Sequence, residues 1–95
     1  MSFYELKEAN GFVSMWSIYD GVNDPNEPSP YEARTMVYQD NWAEPVEVSL
    51  PAGKLTWLDL WKAADKCIKQ SGDTHHIFIE GFKPNGGVLE LITGS

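Results

Sequence analysis

Two adjacent histidines, His75 and His76, are the side chains of this sequence best suited to acid–base or metal chemistry. Adjacent residues of a strand point to opposite faces, so the pair cannot easily bind one metal ion. As a general base, either imidazole would need an orienting acid and a nucleophile, and no recognisable spacing supplies them. The sequence therefore predicts no catalytic residue and no metal or cofactor site here.

Cys67 is the one cysteine of the chain, and it falls on the apolar face of a predicted helix near its C-terminal end. A reactive thiol favours a helix N-terminus or basic, exposed neighbours, whereas the helix dipole disfavours a thiolate at this end. We expect Cys67 to be a core residue. A single cysteine also excludes an internal disulfide and favours the reducing cytoplasm.

Acidic side chains gather in and beside the proline-rich segment 20–30, at Asp20, Asp24, Glu27 and Glu32. Calcium binding is not indicated, because the segment has a valine and a proline where an EF-hand loop needs an oxygen ligand and a glycine. The composition predicts an exposed loop, longer than a simple connection needs. Such a loop fits a recognition surface for a basic protein partner; its alternative role is to keep the protein soluble.

The formal net charge of −7 is unevenly distributed. Residues 1–49 carry the whole excess of acids, while residues 50–95 carry equal numbers of acidic and basic side chains. Phosphate contacts need clustered lysine and arginine side chains, so the composition argues against direct nucleic-acid binding. An acidic surface fits a basic partner instead, or solubility alone.

Arg34 is the only arginine, and it lies in a predicted strand with acidic neighbours in sequence. One interpretation is a structural ion pair with a carboxylate across the sheet. The other places Arg34 in a pocket with Tyr38, since residues i and i+4 of a strand share a face. Such a pair could bind an anionic or aromatic small molecule.

Two tryptophans lie outside the predicted helix. Trp16 shares a strand face with Phe12 and Ile18, which favours a core position. Trp42 stands in a polar connection between predicted strands, where an aromatic side chain either anchors the loop or marks a contact surface. Trp42 is therefore a candidate binding residue.

Length and composition indicate one globular domain, residues 1–95. The hydrophobic fraction of 42% and the aromatic fraction of 13% exclude wholesale disorder. No apolar run approaches the ~20 residues of a membrane span, and the N-terminus lacks the pattern of a signal peptide. We expect a soluble cytoplasmic protein without membrane contact.

Residues 57–71 give the clearest helical signal. Thr56 can cap this helix, with Asp59 completing a capping box, and Gly72 can supply the left-handed residue after its end. Asp65 and Lys69 have the spacing of an i,i+4 ion pair. Helical periodicity places one apolar face on Trp57, Leu60, Trp61, Ala64, Cys67, Ile68 and Ser71.

Predicted strands cover residues 33–39, 46–50, 75–82 and 88–93, and the last two form a hairpin. Residues 3–9 and 12–19 are predicted to form another hairpin across Asn10-Gly11; the competing interpretation is a helical turn over 4–9 that ends at Gly11. Segment 88–93 is apolar on nearly both faces, which is typical of a central strand. The expected fold class is α+β, an antiparallel sheet of five to six strands with one helix on one face, in the order ββ-β-β-α-ββ.

One helix covers one face of such a sheet, so the other face must be polar or be covered by another chain, and we expect a homodimer. The preferred functional hypothesis is a non-enzymatic binding module, a homodimer with an acidic surface for a protein partner. Two alternatives stay open. One is a small-molecule-binding protein with an aromatic-lined pocket, and the other is a small enzyme whose catalytic acids cannot be singled out.

The C-terminal stretch resembles the endings of small orphan proteins of bacterial integron gene cassettes, through Ile77-Phe78-Ile79-Glu80-Gly81-Phe82 and Val88-Leu89-Glu90-Leu91-Ile92-Thr93-Gly94-Ser95. The resemblance includes no functional motif. It implies a compact cytoplasmic protein, often oligomeric, and carries no catalytic residue over to this chain.

Overall fold

The computed structural model describes residues 3–16, 24–39, 44–72 and 76–94 as an α+β fold of two helices and five strands. In chain order the elements are α1 (Phe3–Asn10), β1 (Met15–Trp16), β2 (Thr35–Tyr38), β3 (Val46–Ser49), α2 (Trp57–Ser71), β4 (Phe78–Asn85) and β5 (Val88–Gly94).

The five strands form one mixed sheet in the spatial order β1-β4-β5-β2-β3. β2 pairs antiparallel with β3, and β4 with β5, but β1 lies parallel to β4 and β2 parallel to β5. The expectation of an antiparallel sheet is therefore wrong. Alternation along a strand predicts its buried face, whereas the direction of the neighbouring strand depends on how distant segments meet. The prediction that segment 88–93 is central is confirmed, since β5 is the middle strand.

The predicted N-terminal hairpin is also wrong, because residues 3–10 form helix α1. A two-residue type I′ turn needs positive φ at both central residues, but only Gly11 has one, at 66°, and Asn10 does not. Gly11 instead ends the helix, where its N–H bonds to the carbonyl of Glu8 and the next N–H bonds to that of Lys7. The competing helical interpretation was correct, and the order is α-β-β-β-α-β-β, not ββ-β-β-α-ββ.

Helix α2 spans Trp57–Ser71, the range that the sequence predicts. The capping box is present: the Asp59 N–H donates to Thr56 Oγ1 at 3.1 Å, and the Thr56 N–H donates to Asp59 Oδ2 at 3.0 Å. Gly72 follows the helix in the left-handed conformation, with φ 76°. Local capping signals and apolar periodicity therefore suffice to define this helix.

The core lies between α2 and one face of the sheet. α2 packs on β2 and β3, and the inner face of the sheet extends across β5 and β4. The buried apolar residues of these elements are Met36, Tyr38, Val48, Leu60, Trp61, Ala63, Ala64, Cys67, Ile68, Ile79, Phe82, Leu89 and Leu91. Since strand side chains alternate, the residues between them face away from α2.

Candidate functional site

The acidic side chains of the described part of segment 20–32 are exposed. Asp24, Glu27 and Glu32 all reach solvent, as the sequence suggested for this loop. Two other candidate residues, Asp20 and Trp42, lie outside the described residues. We use the name acidic segment for residues 24–32.

The backbone of the acidic segment is tied to the start of α2. The N–H groups of Trp57 and Leu58 donate to the carbonyls of Glu27 and Pro25, at 3.1 and 2.7 Å. The Ser29 N–H donates to the Leu55 carbonyl at 2.7 Å. Pro25 is fully buried. The segment thus supplies partners for N–H groups that a helix start leaves open, and its acids project from a fixed backbone.

Arg34 lines an open cleft of about 600 Å³. The cleft lies beside the start of β2, between the segment after β3 and the β4–β5 turn. Its lining comprises Glu32, Ala33, Arg34, Leu50, Pro51, Ala52, Gly53 and Gly87. No carboxylate of the described residues forms an ion pair with Arg34. The cleft therefore combines an apolar wall with one guanidinium and one carboxylate.

Tyr38 does not join Arg34 in this cleft. Its ring is buried on the side of the sheet that faces α2. Its hydroxyl lies 3.2 Å from Thr93 Oγ1, on the inner face of β5. The two residues that strand periodicity put on one face are thus apart, because the cleft forms before the start of β2 whereas Tyr38 is the last residue of β2 and is buried on the side that faces α2.

An aromatic cluster fills the space between α1, β1 and α2. The Trp16 ring centroid lies 5.9 Å from Phe3, 5.4 Å from Trp61, 5.9 Å from Trp57 and 6.3 Å from Phe82. Trp16 thus packs against the core, which agrees with its expected position. These rings pack on one another, and none of the described residues that line the Arg34 cleft is aromatic.

A buried polar network centred on Asp65 was not foreseen from the sequence, which indicated only the pair with Lys69. Asp65 Oδ1 accepts hydrogen bonds from the N–H groups of Val13 and Ser14, each at 2.9 Å, and from Ser14 Oγ at 2.6 Å. Ser14 Oγ in turn accepts from Trp61 Nε1 at 3.1 Å. The predicted pair with Lys69 is present at 2.8 Å.

A serine beside a carboxylate resembles part of a nucleophilic site, but its surroundings argue against catalysis. Ser14 is 0% exposed and Asp65 only 2% exposed. The hydroxyl already donates to Asp65 and accepts from Trp61, so a substrate cannot reach it without unfolding this region. The network joins the segment before β1 to α2 and has a structural role.

Cys67 is buried, as predicted. Burial raises the pKa of its thiol from the ordinary value of 9.0 to about 12, against a smaller lowering by Lys66. The thiol therefore stays neutral near pH 7 and is a poor nucleophile.

The described residues contain no group of three metal-ligating side chains. His75 lies outside the described residues, and His76 is half-buried beside the start of β4.

The face of the sheet that points away from α2 carries exposed apolar side chains. Met15 and Phe78 lie opposite each other in β1 and β4, and Ile92 of β5 is 44% exposed. Across the β4–β5 pair, Phe78 and Ile92 each lie opposite a glycine. Gly81 has no side chain to cover Ile92, whereas the Glu80 carboxylate lies over Gly94, the partner of Phe78. We call Met15, Phe78 and Ile92 the outer apolar patch.

No helix in the described part of the chain has both the length and the apolar character needed to span a membrane.

Comparisons with known proteins found no match to any protein-family model, curated protein or solved structure.

Proposed function

We propose that the protein is a non-enzymatic binding module whose acidic segment contacts a basic protein partner. The observation that supports this most directly is that exposed acidic side chains project from a backbone that hydrogen bonds hold in place. Asp24, Glu27 and Glu32 are exposed, while three backbone hydrogen bonds tie the segment to residues 55–58. A surface already ordered before binding loses less conformational entropy on association.

Electrostatics favour the same conclusion. The net charge of −7 comes from the first half of the chain, which contains the acidic segment. The exposed lysines of α2, Lys62, Lys66 and Lys69, lie further along that helix, beyond its acidic first turn. A surface of one sign steers an oppositely charged partner and raises the association rate at low salt. Binding through this surface weakens as salt screens the charges.

We further propose that the module acts as a homodimer through the outer apolar patch. Two copies that bury Phe78 and Ile92 against each other would remove apolar surface from water. Near the patch, Lys83 of β4 lies opposite Glu90 of β5. Charges of both signs on one face suit a two-fold interface, in which each copy presents the same surface.

The proposed partner surface is tested with two variants of equal charge. One replaces the acidic segment's carboxylates (Asp24→Asn, Glu27→Gln, Glu32→Gln), and the amide introduced at position 24 keeps an acceptor for the Asn26 N–H. The control neutralises three exposed acids elsewhere: Glu8→Gln, Glu44→Gln and Glu47→Gln. Each variant and the wild type are used as bait in pull-downs from host lysate at low and moderate salt.

We expect basic proteins to be retained by the wild type and the control at low salt, and lost from the acidic-segment variant. The amount retained should fall as salt rises, because salt screens the charges. All three baits should share one melting temperature, since the exchanged side chains are exposed. Identical sets of retained proteins for all three baits would exclude the acidic segment as a partner surface.

A further inference from the structure

The cleft beside Arg34 has the size and composition of a small-molecule site. Its volume of about 600 Å³ falls within the ~300–1,000 Å³ that is common for ligand pockets. Leu50 and Pro51 contribute apolar surface, while Arg34 and Glu32 contribute one charge of each sign. An apolar wall with a few polar groups is the usual composition of a site for a small organic ligand.

The backbone of Arg34 is fixed on both sides. Its N–H donates to the Gly87 carbonyl at 2.9 Å, and its carbonyl accepts from the Leu50 N–H at 2.8 Å. These bonds connect the start of β2 to the β4–β5 turn and to the end of β3. The residues that line the cleft lie just outside the strands, before β2, after β3 and in the β4–β5 turn. The two bonds hold the backbone at Arg34, so a ligand would meet an arginine whose backbone is already ordered.

The guanidinium of Arg34 has unused hydrogen-bond donors. The chain has 14 acidic residues, yet none that the structure describes lies within 4.0 Å of this side chain as an ion-pair partner. An arginine presents five N–H donors in a planar fork that matches a carboxylate. Bidentate pairing of this kind is among the stronger polar contacts available to a ligand.

We propose that this cleft binds a small monocarboxylate with an apolar body. The carboxylate pairs with Arg34, and the apolar body packs on Leu50 and Pro51. Glu32 in the same wall repels ligands with several negative charges, so inorganic phosphate binds poorly. The site is separate from the proposed protein-binding function, although Glu32 belongs to both surfaces.

Gly87 offers a way to block the cleft without straining the turn. In the two-residue β4–β5 turn, Gly86 has φ 65° and Gly87 has no positive φ, which is the pattern of a type II′ turn. A Cβ built on Gly87 meets nothing within 4 Å. Gly87→Leu should therefore fold normally and place a side chain in the space that the ligand would use.

The test is a titration with 4-methylpentanoate as the probe, monitored by two-dimensional ¹H–¹⁵N NMR. Its neutral amide, 4-methylpentanamide, and inorganic phosphate are the controls. Because a ligand with so few atoms binds weakly, the titration extends to about 50 mM. We expect saturable shifts in the backbone amide signals of Arg34, Gly53 and Gly87 with the carboxylate, and none with the amide or phosphate.

Arg34→Gln and Gly87→Leu should each weaken probe binding by about tenfold or more, through lost pairing or lost space. Lys62→Gln removes the same charge from an exposed position of α2 outside the cleft, and it should bind as the wild type does. Melting curves verify that every variant is folded.

Three results would overturn the proposal. They are an absence of saturable shifts at the cleft, equal binding of the amide or phosphate, and undiminished binding by a folded Arg34→Gln or Gly87→Leu variant. Arg34 and Gly87 line different parts of the cleft. If one of the two variants fails to fold, the other variant still tests whether the probe binds in the cleft. Failure here would not affect the pull-down result, which depends on Asp24 and Glu27 as well as Glu32.

Discussion

The carboxylate of Asp65 holds the segment before β1 against α2. Three hydrogen bonds from Val13 and Ser14 converge on its Oδ1 atom, and Lys69 pairs with Oδ2. Lys69 also donates to the Gly11 carbonyl at 2.9 Å. Because Lys69 is 46% exposed, solvent screens its attraction, and the buried hydrogen bonds contribute most of the stabilisation.

Asp65→Ala should lower the free energy of unfolding by about 3–5 kcal/mol, since it leaves two backbone N–H groups and the Ser14 hydroxyl without their acceptor. Lys69→Ala should lower it by less than about 1 kcal/mol. Urea unfolding followed by tryptophan fluorescence measures both changes. Equal losses for the two variants would show that the ion pair, and not the hydrogen-bond network, is the dominant contact.

At the scale of elements, Trp61 of α2 connects the N-terminal elements to the rest of the fold. Its ring centroid lies 4.7 Å from that of Phe12, 5.4 Å from Trp16 of β1 and 6.0 Å from Phe3 of α1. α1 is short, and a helix of this length is marginal in isolation. Packing on the aromatic cluster therefore stabilises α1.

Trp61→Ala should reduce the free energy of unfolding by about 3–5 kcal/mol, as truncations of large buried aromatic residues do. Hydrogen exchange of the α1 amides should also accelerate relative to that of the sheet. Trp57→Ala is the matched control, because Trp57 is half-buried at the edge of the cluster, and its loss should be smaller. A change below ~1 kcal/mol for Trp61→Ala would mean that the ring does not anchor these elements.

At the scale of the whole molecule, the two faces of the sheet differ in what covers them. α2 covers the inner face over β2 and β3, and the aromatic cluster lies beside it. The outer face retains Met15, Phe78 and Ile92, each more than a third exposed. Apolar side chains gathered on one face favour association with another surface, and a second copy is the partner we propose.

Light scattering at high micromolar concentration should therefore give the mass of a dimer. Phe78→Ser with Ile92→Ser should shift the protein to the monomer, because the two exchanges remove the apolar contact area. Tyr4→Ser is the control, since Tyr4 is 66% exposed and lies on α1. A monomer mass for the wild type would disprove the homodimer.

Much of the fold could be predicted from local sequence. The limits of α2, its caps and its buried face follow from apolar spacing and from Thr56, Asp59 and Gly72. The buried face of β3 follows from the alternation of residues 46–49, and the central place of β5 follows from its apolar character on both faces. These features depend on residues close in sequence, so periodicity and capping chemistry suffice.

The other features depend on contacts between segments that are far apart in the chain. Gly11 ends a helix instead of turning a hairpin because residues 3–10 pack on the aromatic cluster, whose rings come from distant segments. The parallel pairing of β2 with β5, the burial of Asp65 and the cleft at Arg34 likewise bring together residues far apart in the chain. A local pattern indicates whether a side chain lies on the buried or the exposed face of its helix or strand. The contacts of that side chain with distant segments depend on the packing of the whole chain.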